Sequence, residues 1–467
     1  MMSCKVIRIG VFFDGTGNNL TNDEAGRSSN GVSNIGKLYR LYADNEILRG
    51  KTPTECLIYI KAIYIEGVGT INNEDDYATG GGAGTLGAQR INQAIEQLSE
   101  IRDQFPKSEY KCYIDVFGFS RGAAMARDFI NEMYRKHRRL IFTFKFVGLF
   151  DTVGSFGLPG NNINYKPITN EDTETDTIKY ETSGATFPSR YYEPYNFNLS
   201  PRSAEKIVHF IALDEYRKNF PLSDTQGAGL SYYFIGAHSD IGGGYANVEY
   251  ESLFDYALGN NLIQAEKKLG KPEDGIQFGK DWQCKVDENV YGNSSPYNNF
   301  RILCRGSREV TDDLQKVTLV AMYNLAIMEN VPFINDIPQN YQDVPFSPDD
   351  TSILLKWTKE LREYYEIATT NISSLKLLIG GQTAFNNQSE LHIRTFFHRS
   401  ILAKYAHNSS ISSFADKTSL PPIGFKHRAS SGVTDTIANG ARRIRNNPLP
   451  IREAYANDIG KAVVIND

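Results

Sequence analysis

Apolar residues recur along the chain with two different periods. Val6–Phe13, Cys56–Ile65, Lys111–Phe117, Ile141–Phe150 and Tyr232–Ala237 are short apolar runs rich in β-branched and aromatic residues. They predict buried strands, because a strand covered on both faces reads as one continuous apolar run. Ser33–Tyr42, Ala88–Phe105 and Arg121–Lys136 instead space their apolar residues three or four apart, as in Ile91, Ala94, Ile95, Leu98 and Ile101. That spacing predicts helices. Strands alternating with helices predict an α/β fold built on a mostly parallel sheet flanked by helices. Helical spacing is also read in Ser203–Tyr216, Ser252–Leu269 and Thr311–Glu329, and in Asp349–Ile379 with Leu354, Leu355, Trp357, Leu361, Tyr364 and Ile367.

Two polar stretches interrupt this alternation. Asn161–Tyr195 carries an acidic tract at Glu171–Glu174 and then Tyr and Pro, which predicts a surface insertion or lid. Asp281–Asn299 is polar and turn-rich. The end of the chain, Ser430–Asp467, sets Arg442, Arg443 and Arg445 beside prolines and predicts a loose, solvated surface arm, with a patch that meets phosphate groups as the alternative. The expected organisation is a catalytic core over 1–260 with the insertion around 160–200, and a mainly helical region over 261–467 packed on that core.

Composition changes this picture little. The chain has 467 residues, 40% hydrophobic and 22% charged, with a net charge of −5. It therefore lacks the basic balance of a nucleic-acid binder. The five cysteines are scattered and form no C-x-x-C pair, so neither a zinc site nor a disulfide framework is expected, and a reducing cytosol is implied at synthesis. The first apolar run is too short for a secretory signal, and no run approaches a membrane span.

The candidate chemistry centres on residues 113–126. There an apolar run leads through Gly118-Phe119-Ser120-Arg121-Gly122 into a helical stretch. This is the strand–turn–helix setting of a G-x-S-x-G nucleophile elbow, whose glycines leave room for a tight turn that exposes the serine hydroxyl. Ser120 is the expected nucleophile. Asp151 ends the next strand and follows the serine in chain order, as the acid of an α/β-hydrolase triad does. His238 ends another strand at the glycine-rich His238–Tyr245 loop and is the expected general base. Oxyanion donors are expected from the N–H of Arg121 and from the Gly15–Thr16 loop after the first strand.

Rival readings exist for several positions. Asp240 is an alternative acid, although hydrogen bonding within the glycine-rich loop suits it better, and His238 with Asp240 makes a weak metal pair. His407 is the alternative base, since a triad histidine usually comes late. His209, with apolar neighbours, reads as packed rather than catalytic. His392, His398 and His407 match no metal spacing. The cluster Gly80–Gly84 lacks the Lys-Ser/Thr ending of a P-loop and reads as a flexible rim. No metal or organic cofactor is expected.

Four stretches in order resemble a known family: Phe12–Asn18, Gly118–Ala123, Phe150–Ser155 and Gly236–Tyr245. They are similar to the G-x-S-x-G phospholipase effectors of the bacterial type VI secretion system, which are α/β-hydrolases. The resemblance spans roughly residues 5–250 and implies the triad Ser120, Asp151 and His238. It further implies phospholipase A1 or A2 hydrolysis of membrane glycerophospholipid acyl esters, and action in the target cell's periplasm after synthesis in the bacterial cytoplasm. The implied partners are the target membrane, a cognate immunity protein and a component of the secretion apparatus, with no nucleic acid. Secretion by this route needs no signal peptide. Two other readings stay open: an esterase or thioesterase acting on a soluble substrate, and a non-catalytic binding module.

Overall fold

A computed structural model of the protein describes residues 5–28, 30–49, 57–74, 83–156, 165–167, 192–215, 217, 220–259, 283–287, 300–334, 336–344, 406–407 and 454–464. Its centre is a seven-stranded sheet. In chain order the strands are β1 (Lys5–Phe13), β2 (Ile47–Arg49), β3 (Leu57–Ile65), β4 (Tyr110–Phe119), β5 (Thr143–Phe150), β8 (Lys206–Ala212) and β10 (Leu230–Phe234). Between β5 and β10 lie three short strands outside this sheet: β6 (Tyr165–Pro167), β7 (Tyr192–Pro194) and β9 (Leu222–Ser223). The spatial order is β10-β8-β5-β4-β1-β3-β2, and every neighbouring pair is parallel except β2 with β3.

The sheet is covered on both faces, which explains its continuous apolar strands. Side chains at alternate positions point to opposite faces. Ile7, Ile9, Val11 and Phe13 of β1 join a core with helices α3 (Ala83–Asp103) and α4 (Arg121–Lys136), which contribute Ile91, Leu98, Phe129 and Met133. Phe12, Phe117, Phe146, Phe150 and Phe210 face the other way. They pack with α2 (Asn34–Leu41), which follows the short α1 (Leu20–Glu24), and with a later helix, Asp313–Met328. The result is a three-layer, mostly parallel α/β-hydrolase-like fold. No helix among the described residues is long and apolar enough to cross a membrane.

Several expectations need correction. Ser203–Tyr216 is not a helix but contains β8, buried on both faces, so its apolar residues carry no readable period. Ser252–Gly259 lies in β11 (Val248–Gly259), which pairs antiparallel with β13 (Phe300–Thr311). β13 also pairs with β12 (Gln283–Asp287), inside the stretch read as polar and turn-rich. Short apolar runs do not distinguish helix from strand by periodicity alone. This small sheet crosses the boundary at 260, with β12 and β13 inside the region read as mainly helical. Beyond it, α6 (Asp313–Met328) contributes Leu319, Met322 and Leu325 to the core, and α7 (Gln339–Gln342) follows.

Of the insertion, the described parts are β6 and β7, paired antiparallel, and residues 195–200. Tyr195, Phe197 and Leu199 are buried in the core rather than at the surface, and Tyr195 stacks on Phe156 at 4.6 Å. The loose arm is corrected for residues 454–464. There β14 (Ala454–Tyr455) pairs with β9, Asn457 exchanges hydrogen bonds with the Leu199 backbone, and Val463 N–H donates to Asn131 Oδ1 at 2.7 Å. The arginines 442–445, the helices read in 349–379, His392, His398 and residues 80–82 of the glycine cluster lie outside the described residues.

Candidate active site

Strand β4 ends at Phe119 and helix α4 starts at Arg121, so the turn between them is Ser120 alone. Its φ of 58° and ψ of −126° lie where a non-glycine residue is rarely found, and such strain persists only where the surroundings hold it. Ser120 N–H donates to Phe150 O at 3.0 Å, and Ser120 O accepts from Val153 N–H at 3.2 Å. The end of β5 and the loop after it thereby grip the turn on both sides. The flanking glycines are obligatory. A Cβ at Gly122 would stand 2.3 Å from the carbonyl oxygens of both Phe13 and Asp14. One at Gly118 would stand 2.7 Å from Ala123 Cα. The Ser120 side chain does not cap the helix. Contrary to an exposed hydroxyl, the residue is only 5% exposed.

Asp151 follows β5 directly, with a φ of 39°. Its N–H donates to Phe210 O at 2.7 Å, which ties it to β8. The carboxylate is fully buried and uses both oxygens. Oδ1 accepts from Ala212 N–H at 2.9 Å, and Oδ2 lies 2.5 Å from His238 Nδ1. A carboxylate only accepts, so Nδ1 is the donor of that bond.

His238 opens the short helix α5 (His238–Gly242) beyond β10. Its ring lies between Phe119, with centroids 4.7 Å apart, and Phe220 at 5.0 Å. Its N–H donates to Glu215 Oε2 at 3.3 Å. Burial pushes the imidazole pKa below its ordinary value, and the Asp151 bond and charge only partly offset this. The ring is therefore held neutral near pH 7, with its proton on Nδ1 and the Nε2 lone pair unprotonated. Nε2 is buried and has no partner among the described residues. Among the described residues no hydrogen bond joins it to Ser120 Oγ. The ring instead lies against Phe119, the residue before the serine.

The oxyanion candidates separate. Gly15 N–H donates to Asp14 Oδ1 at 2.7 Å. Thr16 N–H has no partner among the described residues, and Arg121 N–H, the first of α4, has no preceding carbonyl within the helix to bond. Arg121 Nε donates to Thr16 Oγ1, so side chains join the loop to the elbow. Asp14 Oδ2 accepts from Tyr64 Oη at 2.6 Å and Ser33 Oγ at 2.8 Å. Desolvation pushes the Asp14 pKa up to about 6, against these hydrogen bonds. Asp14 thus anchors the loop Asp14–Thr16 through Tyr64 and Ser33.

The rival groups have other partners. Asp240 Oδ2 accepts from Ala237 N–H at 2.8 Å and from His407 N–H at 2.9 Å, and Oδ1 lies 2.7 Å from His407 Nδ1. Asp240 thus braces the loop and binds His407, which stacks on Tyr245 with centroids 3.5 Å apart. His209 is fully buried, with Nε2 3.1 Å from Thr152 N and Nδ1 3.0 Å from Thr225 Oγ1. Among the described residues no group of three or more His, Cys, Asp or Glu could hold a metal. No pattern in the sequence points to Phe220, or to the Arg217–Glu215 ion pair at 2.8 Å. Arg217 stacks 3.5 Å over the Phe220 ring, and only the folded chain places them next to His238.

The fold has a counterpart among solved structures. A solved structure described as the Tle1 effector bound to the VgrG spike of the type 6 secretion system is similar, with a TM-score of 0.54 and 22% identity. The match covers 79% of this chain and 84% of that one. A crystal structure of an uncharacterized protein from Pseudomonas aeruginosa matches with a TM-score of 0.42 and 18% identity, over 76% of this chain and 51% of the other. No curated protein sequence matches significantly. The family model for the catalytic domain of Tle1-like phospholipase effectors of the type VI secretion system matches residues 8–137 and 128–260, more than half of the chain. The elbow, the Asp151–His238 pair and the loop after β1 all fall within those residues, and the chain belongs to the Tle1-like family of type VI secretion phospholipase effectors.

Proposed function

We propose that the protein is a serine-dependent phospholipase of the A type, with Ser120 as nucleophile, His238 as general base and Asp151 as the acid that orients it. The observation that carries this reading is the 2.5 Å bond between Asp151 Oδ2 and His238 Nδ1, which leaves a buried Nε2 with no partner among the described residues, on a ring packed against Phe119, the neighbour in sequence of the strained elbow Ser120. His238 Nε2 takes the Ser120 proton as Oγ attacks the acyl carbonyl. The imidazolium then protonates the departing lysolipid oxygen, and Asp151 offsets its charge. Water, deprotonated in turn by His238, hydrolyses the acyl-enzyme and releases the fatty acid. The oxyanion of each tetrahedral intermediate is met by Arg121 N–H and Thr16 N–H, at the positive end of α4. Side chains and backbone of this chain carry every step, without a cofactor.

The same reading assigns catalysis to residues 1–260, with 261–467 packed on that core. It places action at the membrane of a target cell and takes a cognate immunity protein and a component of the secretion apparatus as partners. The similar Tle1 structure, bound to a VgrG spike, supports an apparatus partner of that kind. The decisive experiment measures fatty acid and lysolipid released from defined phospholipid vesicles by wild type and Ser120→Ala, with fluorophosphonate labelling in parallel. Release and labelling by wild type alone are expected. Brisk cleavage of soluble esters with no release from vesicles would assign a soluble substrate. Unlabelled wild type would leave a binding module.

A further inference from the structure

Arginines that lose their water must find other acceptors, and most buried ones here do so completely. Arg8 forms a two-bond pair with Asp115, at 2.7 and 2.9 Å. Arg102 donates to the carbonyls of Leu140, Phe105 and Tyr110, and Arg127 to those of Phe197, Ser223 and Asp224. Arg217 is paired twice with Glu215.

Arg121, half-buried rather than buried, is not satisfied in this way. Among the described residues its side chain makes one hydrogen bond, from Nε to Thr16 Oγ1, and no ion pair. Both Nη groups are unspent, and desolvation of this half-buried guanidinium pulls its pKa down to about 10. A half-buried cation with no carboxylate partner keeps its donors free for a bound anion, with which charge-assisted hydrogen bonds form. A second donor on the same loop is also unspent: Asn18 Nδ2, on a residue 6% exposed.

We propose that the Nη groups of Arg121 hold the phosphate of the lipid whose acyl ester Ser120 attacks. This rests on the serine-phospholipase reading and deepens it. In a glycerophospholipid only glycerol carbons and ester oxygens separate the phosphate from the acyl carbonyl, and Arg121 directly follows the nucleophile. The guanidinium fork matches two phosphate oxygens at once, which the lysine ammonium does not. The Nε bond to Thr16 fixes the fork in place, and the N-terminus of α4 adds attraction for negative charge. Arg121 then has two separate tasks: its N–H serves the oxyanion, and its side chain selects lipids that carry phosphate.

The test compares kcat/KM for phosphatidylcholine and for a diacylglycerol with the same acyl chains, both in one detergent micelle, for wild type, Arg121→Gln, Arg121→Lys and Ser120→Ala. The phospholipid-to-diacylglycerol ratio is expected to fall at least ten-fold in Arg121→Gln and to recover in part in Arg121→Lys. An equal loss on both lipids would overturn the proposal and leave Arg121 as a clamp on Thr16. A wild-type experiment guards against misfolding of the variants: soluble glycerophosphocholine should compete with the diacylglycerol. Failure to compete, or competition by inorganic phosphate alone, would overturn the lipid-phosphate assignment. Ser120→Ala separates the two levels. If it stays active, the serine reading fails. If it is dead while the ratio stays intact in Arg121→Gln, only the phosphate assignment fails.

Discussion

Replacing Asp151 by Asn changes one atom of a fully buried group, and the structure dictates how the new side chain must sit. Oδ1 receives Ala212 N–H at 2.9 Å and Oδ2 receives His238 Nδ1 at 2.5 Å. The amide has one acceptor and one donor end. Its carbonyl must face Ala212 N–H, because the opposite orientation would set two donors against each other. The NH2 then faces Nδ1, which must become an acceptor, and the imidazole proton moves to Nε2. That is the atom from which Ser120 needs a lone pair. In hydrolases with this arrangement the same exchange lowers turnover by about 10⁴, or about 5.5 kcal/mol of barrier. Both polar partners stay bonded, so the expected loss of stability is only about 1 kcal/mol. Asp151→Ala instead orphans two buried donors, at about 1–3 kcal/mol each, and should lose stability together with activity. The assay pairs initial rates of fatty-acid release from vesicles with chemical denaturation. A folded Asp151→Asn enzyme within about ten-fold of wild type would refute the reasoning, because the imidazole tautomer would then not be set by this bond.

Two further predictions follow from the same geometry. The acid limb of the kcat/KM profile should have its midpoint below 6.5, the ordinary imidazole value, because burial lowers the His238 pKa and the active form is neutral. The sign is fixed: activity is present above the folded-state pKa and is lost as pH falls through it, as is the stability contributed by keeping this ring neutral. A midpoint above the ordinary value would mean that Asp151 outweighs desolvation. Gly122→Ala puts a methyl group 2.3 Å from two backbone oxygens at the end of β1. It should cost about 1–3 kcal/mol or more through overpacking, read as a lower denaturation midpoint, and should also slow catalysis because the Thr16 loop moves. An unchanged midpoint would show that the elbow is looser than its contacts imply.

What the chain alone determined is local. The strands β1, β4 and β5 and the helix α4 were legible because burial stamps a period on contiguous residues, and the elbow was legible because its glycines and serine are consecutive. Ser120, Asp151 and His238 could be nominated for the same reason, each standing where an apolar run stops. Only tertiary structure decided the partners. Asp151 and His238 are separated by 87 positions, and Asp240 and His407 by 167, and no local pattern encodes which aspartate meets which histidine. Gly15 was legible as a glycine at the end of the first strand, but that its N–H bonds Asp14 Oδ1 depends on the loop's conformation. β8 and β11 were misread as helices because a short apolar run records that it is buried, not the geometry in which it is buried. The unspent guanidinium of Arg121 belongs with these. Whether a cation has a counter-charge is a property of everything packed around it, and only the folded chain brings those groups together.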